Sequence, residues 1–295
     1  MAIVSFTELY ERISSEKKTI YEIAQSEEAC LQEKSVTEIR CSVKENLDAM
    51  KLSIKNGIKS SEKSISGWCG DDCIKIQKRY KSKGALFGKL FEKITTYALA
   101  VAEENLRMGR IVACPTAGSC GIVPSVLISV AEENEISEEK QIDALITAGY
   151  VGLIISYKVS LAGAVAGCQA ECGVAAAMAA AAVIEMLGGT VEQIFQAVAL
   201  ALKNVLGLTC DPVCGLVEVP CIKRNAFLGV HAVTAAELAM AGIESKIPLD
   251  EVVDALKQTG QLMSPLLKET SQAGLAKTKI AKNLKKELQQ KKEEV

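Results

Sequence analysis

Histidine is nearly missing from this 295-residue chain, with His231 the only example, and aromatic residues make up just 4%. Ser-His-Asp or Cys-His catalysis would therefore rest on His231 alone. That residue lies in the apolar run FLGVHAVTAAELAM, where a packing histidine is the better reading. With so few aromatics, the core must be built from Ala, Val, Leu and Ile, and small side chains favour closely packed helices over stacked strands. An excess of charge of either sign is also lacking. The net charge of −2 gives no reason to expect nucleic acid or a membrane surface as partner. No apolar run reaches the roughly 20 residues that span a bilayer. Ala144–Ser156 and Gly173–Leu187 are shorter and read as buried helices. The opening Met1–Tyr10 has neither a basic start nor an apolar stretch, so a cytoplasmic location is expected. GxGxxG, Walker A, HExxH and paired CxxC motifs are all missing.

The residues that are present point to an all-α fold, because no alternating pattern of useful length suggests a strand. In Ile39–Ile58 the apolar residues Ile39, Val43, Leu47, Met50, Ile54 and Ile58 recur at intervals of three and four, one face of an amphipathic helix. Further helices are predicted over Leu86–Met108, Glu138–Ser156, Gly173–Leu187, Thr190–Leu206, Asn225–Met240 and Leu249–Gly260. The Lys277–Glu294 run mixes both signs, as a solvated helix does. Ser64–Lys75, SISGWCGDDCIK, reads as a loop and suggests a boundary between an N-terminal helical region, 1–65, and a catalytic all-α region, 66–295. In ACPTAGSCGIVPSVL, Pro115 and Pro124 exclude a continuous helix, while Gly118 and Gly121 permit tight turns.

Eleven cysteines exceed what packing requires, and without a secretory signal metal or redox chemistry is a better prior than disulfides. Many fall in three glycine-rich or proline-broken segments, GCQAECG, GLTCDPVCG and VPCIKRN, at expected loop or helix-end positions. The pairs Cys168/Cys172 and Cys210/Cys214 do not match zinc-ribbon spacing. Clustering favours iron–sulfur ligation, but spacing alone does not decide against zinc. Thr116, Ser119 and the backbone around Gly118 and Gly121 form a candidate anion-binding turn, or simply a tight structural one. Arg224 either orients a substrate or pairs with Asp211 or Glu218, and Asn225 follows it. Glu171 either serves proton transfer or ammonium binding, or forms a helix-end salt bridge. Lys268, Thr270 and Ser271 either close the site or, for the two hydroxyls, cap a helix.

Four segments in order, CPTAGSCGIVPSVL, SLAGAVAGCQAECG, GLTCDPVCGLVEVPCIKRNA and KETSQAGLA, closely resemble the signatures of iron–sulfur L-serine dehydratase alpha chains, from about Ser64 to Ala276. The resemblance implies a [4Fe–4S] cluster on Cys168, Cys210 and Cys221, with Cys172 and Cys214 as neighbours. It implies substrate contacts from Thr116, Gly118, Ser119, Gly121, Lys268, Thr270 and Ser271, and catalytic roles for Glu171, Arg224 and Asn225. L-serine would be converted to pyruvate and ammonia without pyridoxal phosphate. Single-chain relatives end in a cysteine that caps the fourth iron, whereas LKKELQQKKEEV has none, so that iron is expected to be open or filled by water or substrate. The family's GPSSSHTAGA-like stretch is not in this chain, which implies a separate beta subunit and an αβ hetero-oligomer. Rival readings are an L-cysteine desulfidase-like lyase and a non-catalytic redox-sensing scaffold.

Overall fold

The computed structural model describes residues 3–293, and among them thirteen α-helices and no strand are found. The all-α expectation holds. At the centre lies α9, Cys168–Met186, all of whose residues except Glu171 and Glu185 are buried. Its run of alanines makes this arrangement possible: a helix apolar on every side has to be surrounded, and small side chains let its neighbours approach closely. It packs against α6 (Ile122–Glu133), α7 (Glu138–Ser156), α10 (Val191–Lys203) and α11 (Cys221–Met240). Among the described residues α9 is the one helix long and apolar enough to cross a bilayer, but 89% of that window lies inside the protein.

The remaining helices wrap this centre. α3 (Val36–Gly57) lies on α5 (Gly88–Leu106) and α7, while α2 (Ile20–Leu31) covers α7. α1 (Phe6–Glu16) reaches α12 (Leu249–Leu262), where Asp250 accepts the backbone N–H groups of Phe6 at 3.1 Å and Thr7 at 2.9 Å. One hydrophobic core runs from Phe6 and Leu47 through the alanines of α9 to Leu256. α4 (Asp72–Lys83), the single turn α8 (Gly163–Ala166) and α13 (Lys279–Glu293) complete the set.

The largest departures from the expectation are at α4, α6, α9 and α11. α4 begins at Asp72, inside the stretch read as a loop, because the buried Glu103 carboxylate accepts the backbone N–H groups of Gly70, Asp72 and Cys73. α6 was not expected at all. Its Pro124 stands third in the helix, where an amide has no intrahelical acceptor to lose, so the proline does not break it. α9 and α11 start five and four residues earlier than periodicity suggests, at Cys168 rather than Gly173 and at Cys221 rather than Asn225. His231, half-buried on α11, packs with Nε2 2.8 Å from the Ala201 carbonyl.

Candidate metal centre

The two early starts put cysteines in the first turns of α9 and α11, where free backbone N–H groups and the helix dipole favour a thiolate. Gly167 makes the turn into α9 with φ of 80°, a conformation that a side chain would strain. Gln169 anchors that first turn: its side chain accepts from Gly207 N at 2.8 Å and donates to the Leu256 carbonyl at 3.1 Å. Cys210 lies on an extended stretch beside Lys268. Its N–H donates to the Leu267 carbonyl at 2.9 Å, and its carbonyl accepts from Glu269 N at 2.6 Å.

These elements bring the Cys168 sulfur, the Cys210 sulfur and a Glu171 carboxylate oxygen within 4.8 Å of one another. Cys168 Sγ and Glu171 Oε2 are 3.7 Å apart. Cys221 is buried as well and interacts with the Cys168 charge, but it lies outside that tight group. Cys172, one turn into α9, is buried too. Hydrogen bonds from Cys172 and Cys210, with help from Arg224, hold the Cys168 thiol far below its ordinary value. The same contacts push Cys172 and Cys210 up, and burial pushes Cys221 up to about 12. Burial first, then the Cys168 charge, raises the Glu171 carboxyl to about 7, against the opposing Thr116 hydrogen bond.

Around the sulfurs, most predicted site residues are engaged with one another. The Thr116 hydroxyl donates to Glu171 Oε1 and lies 3.2 Å from Ser119 Oγ. Asn225 donates to the carbonyls of Gly118 at 2.9 Å and Cys221 at 3.0 Å and accepts from Gly121 N at 2.9 Å. The Gly121 amide is therefore already engaged in this structure, and Asn225 ties α11 to the turn at 117–121. Arg224 pairs with Asp211 at 3.2 Å and donates to the Thr209 carbonyl at 2.8 Å. Glu218, the other suggested partner of Arg224, instead accepts from Ser64 and Ser66. Neither Thr270 nor Ser271 caps a helix. The Thr270 hydroxyl donates to the Leu266 carbonyl within its own segment, and the Ser271 hydroxyl donates to the Pro212 carbonyl and ties that segment to the Cys210 loop.

A thiolate-bound group fits this pocket on two counts. Buried cysteine sulfurs from separate segments converge, a donor set suited to zinc or an iron–sulfur cluster. Gly163 also leaves the approach open, since a Cβ there would stand 2.7 Å from Glu171 Oε2 and 3.1 Å from Cys210 Sγ. Sequence reasoning passed over Gln169 and Gly163, although both lie within a segment of the SLAGAVAGCQAECG motif.

Residues 15–276 match the family described as "Serine dehydratase alpha chain". The chain belongs to that family. Every site residue named above lies within the matched span. This serine dehydratase alpha-chain member is 48% identical to a Bacillus subtilis protein named "Probable L-serine dehydratase, alpha chain", over 76% of its own length and 75% of the relative's. It is 43% identical to the L-serine dehydratase alpha chain of Peptoniphilus asaccharolyticus, over 74% of this chain and 75% of that one. The L-serine dehydratase of Streptomyces coelicolor is 44% identical over 68% of this chain, but that match covers only 44% of the longer relative.

Proposed function

We propose that this chain is the cluster-bearing alpha subunit of an iron–sulfur L-serine dehydratase, acting in the cytoplasm and releasing pyruvate and ammonia. The observation that carries the reading is the meeting of Cys168, Cys210 and Glu171 within 4.8 Å, with Cys221 buried beside them, inside the family-matched span. Cys168, Cys210 and Cys221 would hold a [4Fe–4S] cluster, and thiolates bound to separate irons need not approach one another as closely as thiolates sharing one ion. That fits a third thiol outside the tight group. When bound, the cluster supplies a Lewis-acidic iron that stabilises negative charge on the departing hydroxyl oxygen.

The chain's own residues do the positioning. Thr116, Gly118, Ser119 and Gly121 form the turn that receives the L-serine carboxylate, in competition with the Thr116–Glu171 bond. Glu171, facing Cys168 and Gly163, holds or moves a proton at its carboxyl oxygens or binds the substrate ammonium. Arg224 keeps the Cys210 loop in place through Thr209 and Asp211, and Asn225 holds the 117–121 turn against Cys221. Lys268, Thr270 and Ser271 lie on the segment that closes beside Cys210. A separate beta subunit supplies the base that removes the Cα proton. The alpha-chain names of the relatives and the added length of the Streptomyces coelicolor protein support such a partner.

The test is anaerobic co-expression with the candidate beta chain, followed by iron and sulfide analysis and assays of pyruvate release from L-serine and from L-cysteine. Iron with sulfide and turnover of L-serine are expected. Stoichiometric zinc without sulfide would defeat the cluster, and turnover of L-cysteine alone would reassign the substrate.

A further inference from the structure

The segment Ser64–Cys73, set apart in the sequence by Trp68 and Cys69 among glycines and aspartates, has no part in the site as described so far. It is gripped at three points, and two of them flank Cys221. Three residues before Cys221, the buried Glu218 accepts with Oε2 from the hydroxyls of Ser64 at 2.8 Å and Ser66 at 2.6 Å. Those hydroxyls accept in turn from the backbone N–H groups of Cys69 and Trp68, so the loop's own turn closes on the same carboxylate. Two residues after Cys221, Lys223 donates to Cys69 Sγ at 3.4 Å and pairs with Asp72 Oδ2 at 2.5 Å. The third grip is Glu103 of α5, wholly buried, which takes the Gly70, Asp72 and Cys73 N–H groups at 3.2, 2.7 and 3.4 Å.

A buried carboxylate persists only where hydrogen bonds replace its hydration, so each glutamate holds the loop firmly or is itself left underpaired. The result is a continuous link from the core helix α5, through the loop, to both sides of one thiol. Neither α9 nor α11 has a side-chain cap. The first turn of α9 is anchored by Gln169, whereas that of α11 carries the half-buried Lys223 and Arg224, and the residues on both sides of Cys221 bond to the loop.

We infer that the Ser64–Cys73 loop is a clasp that sets the position of the Cys221 thiol, with Glu218 as its positioning residue. The inference rests on Cys221 being a ligand as proposed above. It gives the SISGWCGDDC stretch a role: its two serines close on Glu218, its Cys69 and Asp72 close on Lys223, and its glycine at 70 brings the chain against Glu103.

The test uses the full chain in three forms: wild type, Glu218→Gln and the double variant Ser64→Ala/Ser66→Ala. Thr147→Ala serves as a control, because it removes a half-buried hydrogen bond to Glu185 far from the clasp. Two readouts are taken. In the metal-free chain, alkylation of Cys221 and hydrogen exchange over residues 221–225 report on the first turn of α11. In the anaerobically loaded chain, iron retention and the visible and paramagnetic spectra report on the centre. The clasp predicts faster alkylation of Cys221 with Cys168 unchanged, an altered spectrum, and iron retention weakened roughly 10- to 100-fold, as for losses of outer-shell support elsewhere. The inference is overturned if both clasp variants only lower the melting temperature, as Thr147→Ala does, while Cys221 reactivity and iron retention stay at wild-type values. If Glu218→Gln does not fold, the serine double variant decides. If the wild type binds no iron and sulfide, the functional reading fails, and the alkylation and exchange arm still decides the clasp.

Discussion

The helices of this protein begin in two different ways. α1, α2, α3, α7 and α10 each start on a serine or threonine whose hydroxyl accepts from a first-turn N–H, and three of them carry a full capping box. α6, α9 and α11, whose N-termini meet at the candidate centre, have no side-chain cap, and their caps are Gly121, Gly167 and Pro220. In the first group local sequence alone satisfies the exposed amides. In the second the amides turn toward partners from distant segments, as Gln169 N does to the Leu208 carbonyl and Gly121 N to Asn225. Those five scaffold helices are thus closed locally, while the starts of α6 and α9 are closed by the tertiary fold; α4, α5 and α12 also begin without a side-chain cap.

The sharpest way to break this contrast is at the sulfurs. Cys168→Ala, Cys210→Ala and Cys221→Ala are each expected to abolish stoichiometric iron and sulfide binding, while Cys214→Ala retains it; metal analysis of anaerobic protein checks this. Next in size, Arg224→Ala leaves the buried Asp211 without its cation and is expected to destabilise the chain by about 3–5 kcal/mol, read from denaturant unfolding. Gly163→Ala forces a methyl against Glu171 and Cys210 and should cost about 1–3 kcal/mol together with reduced iron loading, a pairing of effects that a scaffold position would not show. Removing a scaffold cap, as in Thr19→Ala, is expected to cost only about 1 kcal/mol and to leave iron loading untouched.

A pH experiment probes the far end of α9. Burial raises the Glu185 carboxyl above its ordinary value, the Thr147 hydrogen bond opposing it. The stabilisation that follows is present below the unfolded carboxylate pKa and is lost as pH rises through the higher folded value. Glu185→Gln should flatten that part of the stability profile, measured by urea unfolding across the acidic range. An unchanged profile would remove Glu185 from this account.

Much of the scaffold was legible because its signals are local. Thr190 with Gln193 marks the start of α10 within one residue of Thr190, and the three-and-four spacing from Ile39 to Ile58 marks α3. The site helices were read short for the complementary reason. Gly167, Pro220 and the cysteines beside them carry loop propensities, and only Gln169 and Asn225, bonding to segments far along the chain, make those first turns helical. α6 was missed because a proline counts against a helix unless its position within the first turn is known.

The sequence by itself determined that the fold is helical, that its core is made of small aliphatic residues, and that the cysteine-bearing motifs belong together, because periodicity, composition and long ordered motifs are properties of the chain alone. Only the tertiary structure decided that Glu171 joins Cys168 and Cys210, that Arg224 chooses Asp211 while Glu218 takes two serines, and that a loop at 64–73 holds both flanks of Cys221. Those choices depend on which buried charges and donors come within about 3 Å of each other, the range of a hydrogen bond. Residues as far apart in the chain as Ser64 and Glu218 meet only after the helices between them have packed.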